Sequence, residues 1–243
     1  MGAAFGWGTL AGSSLVIGAL IALRFDLSLR AIGMIMGFGT GVLISAVSFD
    51  LIEEASEKSS GRGGVAVGLV AGCLVFFGSD RMIDRMGGGG RKDATGEDDG
   101  GSPLAIVLGT VLDGVPEATV IGLAIFEGGA VGGAYLAAVF ISNLPESISA
   151  TSGLLRTGWH TSRILWMWIG IMAVNGVASL AGFALFQESS PDVVAVVLAF
   201  AAGAILTMLA NTMMPEAFEH GGKLVGVVTT LGFAVSYAIH ILG

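Results

Sequence analysis

The stretch VLDGVPEATV, residues 111–120, lies inside a run from Pro103 to Phe126 whose other residues are almost all apolar or small. A helix that crosses a bilayer needs roughly 20 mostly apolar residues, so the run reads as a membrane span. Yet Asp113, Pro116 and Glu117 sit near its middle. Each charged side chain at that depth costs about 2.5–3.5 kcal/mol on insertion scales. A plain anchor has no use for them. The reading of this one stretch therefore decides what the chain is and where its chemistry sits.

The rest of the chain agrees with a span. Of 243 residues, 53% are hydrophobic and 12% charged, and the mean hydropathy is +0.84. Soluble domains carry about a quarter charged residues, which excludes that class. The 40 glycines show no collagen-like period. They suit close helix packing in lipid, where small residues let backbones approach. Cys73 is the single cysteine, so no intrachain disulfide forms. No basic tract points to nucleic acid. The first apolar run has no basic leader and no cleavage site, so no cleaved signal peptide is expected.

Eight stretches qualify as spans: about 4–23, 31–52, 64–80, 103–126, 130–153, 164–186, 192–214 and 224–242. The expectation is an all-α membrane protein of eight transmembrane helices, one domain over residues 1–243. Its one long connection, about 84–102, is glycine-rich and charged and reads as a flexible loop. Nine of the eleven Lys and Arg fall in the connections after spans one, three, five and seven; only Lys58 and Arg62 lie on the other side. By the positive-inside rule both termini are outside and the long loop is cytoplasmic.

An internal repeat follows. GFGTGVLISAVSFDLIEEA (37–55) aligns without gaps on AFAAGAILTMLANTMMPEA (199–217), offset by 162, with Phe38 on Phe200, Gly41 on Gly203, Glu54 on Glu216 and Ala55 on Ala217. VPEA (115–118) and LPES (144–147) form a second pair. Spans two and seven run in opposite directions, as do four and five, so the repeat is an inverted one, a recurring transporter design.

In span four Asp113 and Glu117 are four apart and share a helix face. Pro116 lacks the N–H that would bond the Leu112 carbonyl and is expected to kink the helix. Span five repeats the device with Asn143, Glu146 and Pro145. Carboxylates, an amide and freed carbonyls make an oxygen-rich cation site, suited to Mg, Ca and Mn and acceptable to Fe(II) and Zn. The alternatives are a proton site, with an acid kept neutral by burial beside a like charge, or a hydrogen-bonded polar group that only holds helices together.

GTVLDGVPEATVIGLA (109–124) and FISNLPESISAT (140–151) resemble the fourth and fifth helices of the ZIP (zinc- and iron-regulated transporter-like) family, which read roughly H-N-x-P-E-G and (H/Q)-(D/E/N)-x-P-E-G. AAGAILT (201–207) and MPEA (214–217) carry the likeness into span seven. The resemblance implies a divalent-metal uptake transporter with helices arranged as three, two and three, commonly a homodimer. It puts Asp113 where the family has a histidine, Gly114 where it has asparagine, and Glu117 on the family glutamate. Ser142, Asn143 and Glu146 take the ligand positions of span five, and Asn175 falls where some members place a carboxylate. Loss of the histidine, with no amide at Gly114 and no acid at Asn175 to build a second metal site, implies one ion held by oxygen alone. Thr212 replaces a family acid near the inner exit, and the long loop offers Asp93, Glu97, Asp98 and Asp99 where members often have histidines. The cation, Zn, Fe, Mn, Co or Cd, is substrate; no prosthetic group is implied.

Asp50, Glu53, Glu54 and Glu57 cluster at the outer end of span two. They read as a solvated helix end, or, for Asp50 and Glu54, as a cation-collecting outer mouth. Glu216 with His220 is a candidate inner exit. His160, His220 and His240 have no partner at ligand spacing in the sequence. Trp7, Trp159, Trp166 and Trp168 read as interfacial anchors. The metalloprotease signature H-E-x-x-H is absent, and no serine has a histidine base at membrane depth, so no enzyme is expected; a two-acid mechanism of Asp113 with Glu146 is the enzymatic alternative. The competing function is a relative that no longer transports metal and binds a proton or senses. Short loops suit a prokaryotic cytoplasmic membrane.

Overall fold

A computed structural model describes residues 1–88, 94–95, 103–126 and 131–242. Among them every regular element is a helix: α1 (Gly2–Arg24), α2 (Leu29–Ala46), α3 (Glu54–Lys58), α4 (Arg62–Ile83), α5 (Pro103–Phe126), α6 (Val131–Arg156), α7 (Thr161–Phe186), α8 (Pro191–Met208), α9 (Met214–Gly221) and α10 (Val225–Leu242). Two joints are not breaks. π-helical turns at Val47–Glu53 and Leu209–Met213 fuse α2 to α3 and α8 to α9.

Local chemistry sets the ends. The Ser28 hydroxyl accepts the Ala31 N–H at 3.3 Å and starts α2. Pro191 opens α8, where a missing N–H is no loss. The following Asp192 accepts both the Ser60 N–H (2.7 Å) and the Ser60 hydroxyl (2.8 Å), clasping the α3–α4 turn to α8. Gly222, at φ 63°, turns the chain out of α9 into α10. The loop expected over about 84–102 begins later than the composition suggests. Asp84–Gly88 carries α4 on as far as Gly87, where a φ of 90° takes the chain out of the helix. Asp93, Glu97, Asp98 and Asp99 lie outside the described residues.

Six stretches are long and apolar enough to cross a bilayer: Gly2–Arg24, Leu29–Lys58, Gly63–Gly87, Leu104–Ala124, Thr161–Phe186 and Pro191–Leu242. The chain is a multi-pass membrane protein. The sequence count of eight divides Pro191–Leu242, which holds the turn at Gly222, and adds Val131–Arg156, which is too polar to qualify. That helix is polar because it is central: Ser142, Ser147, Ser149 and Thr151 are wholly buried in protein rather than facing lipid.

The first helices pack on the last ones rather than on each other. α4 lies along α8, α10 along α2, and α1 along α7, while α5 packs on α7 and α6 on α1 and α2. Exchanging α1 with α7, α2 with α8, α3 with α9, α4 with α10 and α5 with α6 turns most of these contacts into one another. α4 against α8 becomes α10 against α2, and α5 against α7 becomes α6 against α1. The two π-turns begin at Val47 and Leu209, the offset of 162 found in the sequence repeat.

The equivalence reaches single atoms. A Cβ at Gly41 would overlap the Thr229 carbonyl oxygen, and one at Gly203 the carbonyl oxygen of Leu69. Likewise Gly72 abuts the Phe200 carbonyl and Gly232 that of Phe38. These glycines let backbones touch, the form of packing available where lipid supplies no hydrophobic drive. Outward faces are apolar: Val67, Val75, Val227 and Val235 are exposed, again in two equivalent pairs. Trp168, expected as an interfacial anchor, is instead 1% exposed, its indole N–H donating to the Thr151 hydroxyl at 2.9 Å. Trp166, 70% exposed, behaves as an anchor should.

Candidate functional site

α5 and α6 run on as helix through Pro116 and Pro145. The neighbour makes room: a Cβ at Gly39 of α2 would stand 2.7 Å from Cγ of Pro145. The irregular backbone lies instead in the two π-turns. Such turns occur often at functional sites.

All six candidate metal-site residues are buried: Asp113 and Glu117 on α5, Ser142, Asn143 and Glu146 on α6, and Asn175 on α7. Asn175 is the bridge between helices. A Cβ at Gly114 would lie 2.8 Å from its Oδ1, and one at Gly12 of α1 would lie 3.3 Å from its Nδ2. The glycine that stands where an amide was expected is thus what admits the Asn175 amide to the α5 surface. The Ser142 hydroxyl donates back to the Val139 carbonyl at 3.0 Å.

Several buried polar atoms have hydrogen-bonding capacity to spare. Asn143 Nδ2, Asn175 Oδ1, the Tyr135 hydroxyl and the Ser45 hydroxyl have no hydrogen-bond partner among the described residues. A buried polar group left unsatisfied costs about 1–3 kcal/mol. With the three buried carboxylates these atoms make the interior along α5, α6 and α7 polar. No three His, Cys, Asp or Glu side chains among the described residues converge closely enough to hold a metal ion. All three acids are buried, two on α5 and one on α6.

Toward one end of the molecule, Asp50 is 3% exposed in the first π-turn, not on a solvated helix end. Its Oδ1 lies 2.6 Å from Nδ1 of His240 on α10, and the Phe49 ring packs against the same imidazole at 5.6 Å. Sequence reasoning left His240 partnerless, because 190 residues separate the pair. Tyr135 was missed too. Its side chain is fully buried on α6, and its hydroxyl has no hydrogen-bond partner among the described residues. Position 135 is seven residues before Ser142 and shares its helix face, a spacing that could have pointed to it.

Toward the other end, Glu216 meets Nε2 of His220 at 3.1 Å and accepts the Ala94 N–H at 2.9 Å, so the candidate exit acid holds the one described part of the long loop. Glu54 makes the equivalent contact one repeat earlier, 3.5 Å from Nζ of Lys58. Compared with known proteins, the chain matches no family model and no curated protein.

Proposed function

We propose that the chain is a divalent-metal transporter of the ZIP-like kind, moving a cation toward the cytoplasm through the midplane carboxylates of α5 and α6. In this reading it crosses the membrane eight times, arranged three, two and three with both termini outside, as a homodimer in the cytoplasmic membrane. The observation that carries it is the buried polar core of Asp113, Glu117, Ser142, Asn143, Glu146 and Asn175, with amide and hydroxyl atoms still able to bond. Intramembrane ionisable residues are functional-site candidates by default.

Glu117 and Glu146 are the bridging ligands, and Asp113 and Asn143 complete the shell. Ser142 and Asn175 supply further oxygens. An all-oxygen set binds hard and borderline cations, and a carboxylate that releases its proton on binding couples uptake to pH. The exchange of contacts between the two halves supports movement of one half against the other around a fixed site.

A second reading is favoured by the absence, among the described residues, of three converging ligand-type side chains. There the chain binds a proton at the same acids and transports no metal. Metal uptake into proteoliposomes decides, with Mn, Fe(II), Co, Zn, Cd and Mg offered to wild type and to Glu117→Ala. The transporter reading expects uptake of at least one metal in wild type and background uptake in Glu117→Ala. No uptake, with no metal bound to purified protein, leaves the proton reading.

A further inference from the structure

A cavity of about 340 Å³ opens where α1 and α6 end, away from the polar core. Arg24, Asp26 and Arg156 line it, with Ala22, Leu27 and Leu155 as apolar walls. Arg24 is the last residue of α1 and Arg156 the last of α6. Among the described residues none of the three charged groups has an ion-pair partner. Arg24 only leans over the Phe25 ring at 5.7 Å, and that ring is 58% exposed at the mouth of the cavity.

Two guanidiniums facing one space suit a phosphate, which arginine grips by paired N–H donors. A simple anion, however, meets opposition. Asp26 lines the same space, and the chain leaves α1 in extended form at Phe25 (φ −122°, ψ 132°), so the α1 C-terminus, whose carbonyls after Ile21 lack helical N–H partners, ends beside it. A ligand that satisfies the whole lining carries a phosphate and a cation a few bonds apart. The apolar walls and the exposed Phe25, at the end of membrane-spanning helices, place it at the depth of lipid headgroups.

We propose that this cavity is a headgroup site for an aminophospholipid, with the phosphodiester between Arg24 and Arg156 and the ammonium on Asp26 and the end of α1. The glycerol and first methylenes lie on Ala22, Leu27 and Leu155. The site is independent of what the midplane carboxylates carry. It fixes the end of α1 to that of α6 through one lipid.

The test is native mass spectrometry of the full chain released from nanodiscs of phosphatidylethanolamine, phosphatidylglycerol and phosphatidylcholine in equal amounts with identical acyl chains. Wild type is expected to keep one phosphatidylethanolamine in preference to the other two by about two- to fivefold, the range that an exposed ion pair supports. Asp26→Asn is expected to abolish that preference and raise phosphatidylglycerol. Arg24→Gln combined with Arg156→Gln is expected to lose the retained lipid. All three side chains are exposed, so these changes leave the packing intact. Retention in the mixing ratio by wild type overturns the proposal, as does an unchanged lipid profile in either variant.

Discussion

Asn175 leaves no doubt about how tightly the residues around Gly114 are fitted. With 2.8 Å between its Oδ1 and a notional Cβ on Gly114, even a methyl group must push the amide aside. Gly114→Ala is therefore expected to lower metal uptake by roughly tenfold, since displacing a positioning group by a fraction of an ångström is costly. Gly226→Ala, where a Cβ meets nothing within 4 Å, is the control and is expected to leave uptake unchanged. Parallel initial-rate measurements on the two variants check this. At this scale the acids and prolines of 111–120 and 143–146 were legible, because a charge in an apolar run stands out against its background. Trp168, Tyr135 and His240 were not. A tryptophan near a span end looks the same whether it faces headgroups or a threonine hydroxyl seventeen residues away. A histidine near a terminus likewise gives no hint of an aspartate in another helix.

The order of the helices and their approximate bounds followed from apolar run length. The position of irregular backbone did not. α5 and α6 continue as helix through their prolines, with the bare backbone of Gly39 beside Pro145. The π-turns carry VSFDLIE and LANTM, sequences with no proline and no glycine to announce a departure from α-helix. Only their placement at the same repeat position marks them, and that became visible once the structure supplied one of the two. A π-turn interrupts the regular i→i−4 ladder of the helix it sits in. Amides of Val47–Glu53 and Leu209–Met213 are accordingly expected to exchange with deuterium before those of the α-helical turns on either side. Peptide-level exchange mass spectrometry in detergent reads this directly; equal protection across the joints would contradict it.

For the whole molecule, the weak sequence repeat understated the structural one. Few identities link 37–55 with 199–217, but those few include Gly41 and Gly203, whose bare backbones accept a neighbouring carbonyl in the same way. Identity survives where a side chain would collide and is free to drift elsewhere, which is why a strong equivalence leaves a faint trace. Gly41→Leu and Gly203→Leu are expected to destabilise the fold by similar amounts, about 1–3 kcal/mol or more each, because each forces a helix pair apart. Thermal unfolding midpoints that fall together support the equivalence, and a fall in only one refutes it. That symmetry was legible; the partners of each helix were not, since contact between α4 and α8 joins segments more than a hundred residues apart.

The crossing of partners has a mechanical outcome. Because α4 rests on α8 and α10 on α2, neither half of the chain owns its packing surface; each wears the other's. A force probe drawing the chain out of the bilayer from its C-terminus would strip α10 and, in the same stroke, bare α2 near the opposite end of the sequence. The pull should register as one large rupture rather than as two half-sized steps. A half-length fragment, for the same reason, would find its missing partner only in a second copy of itself.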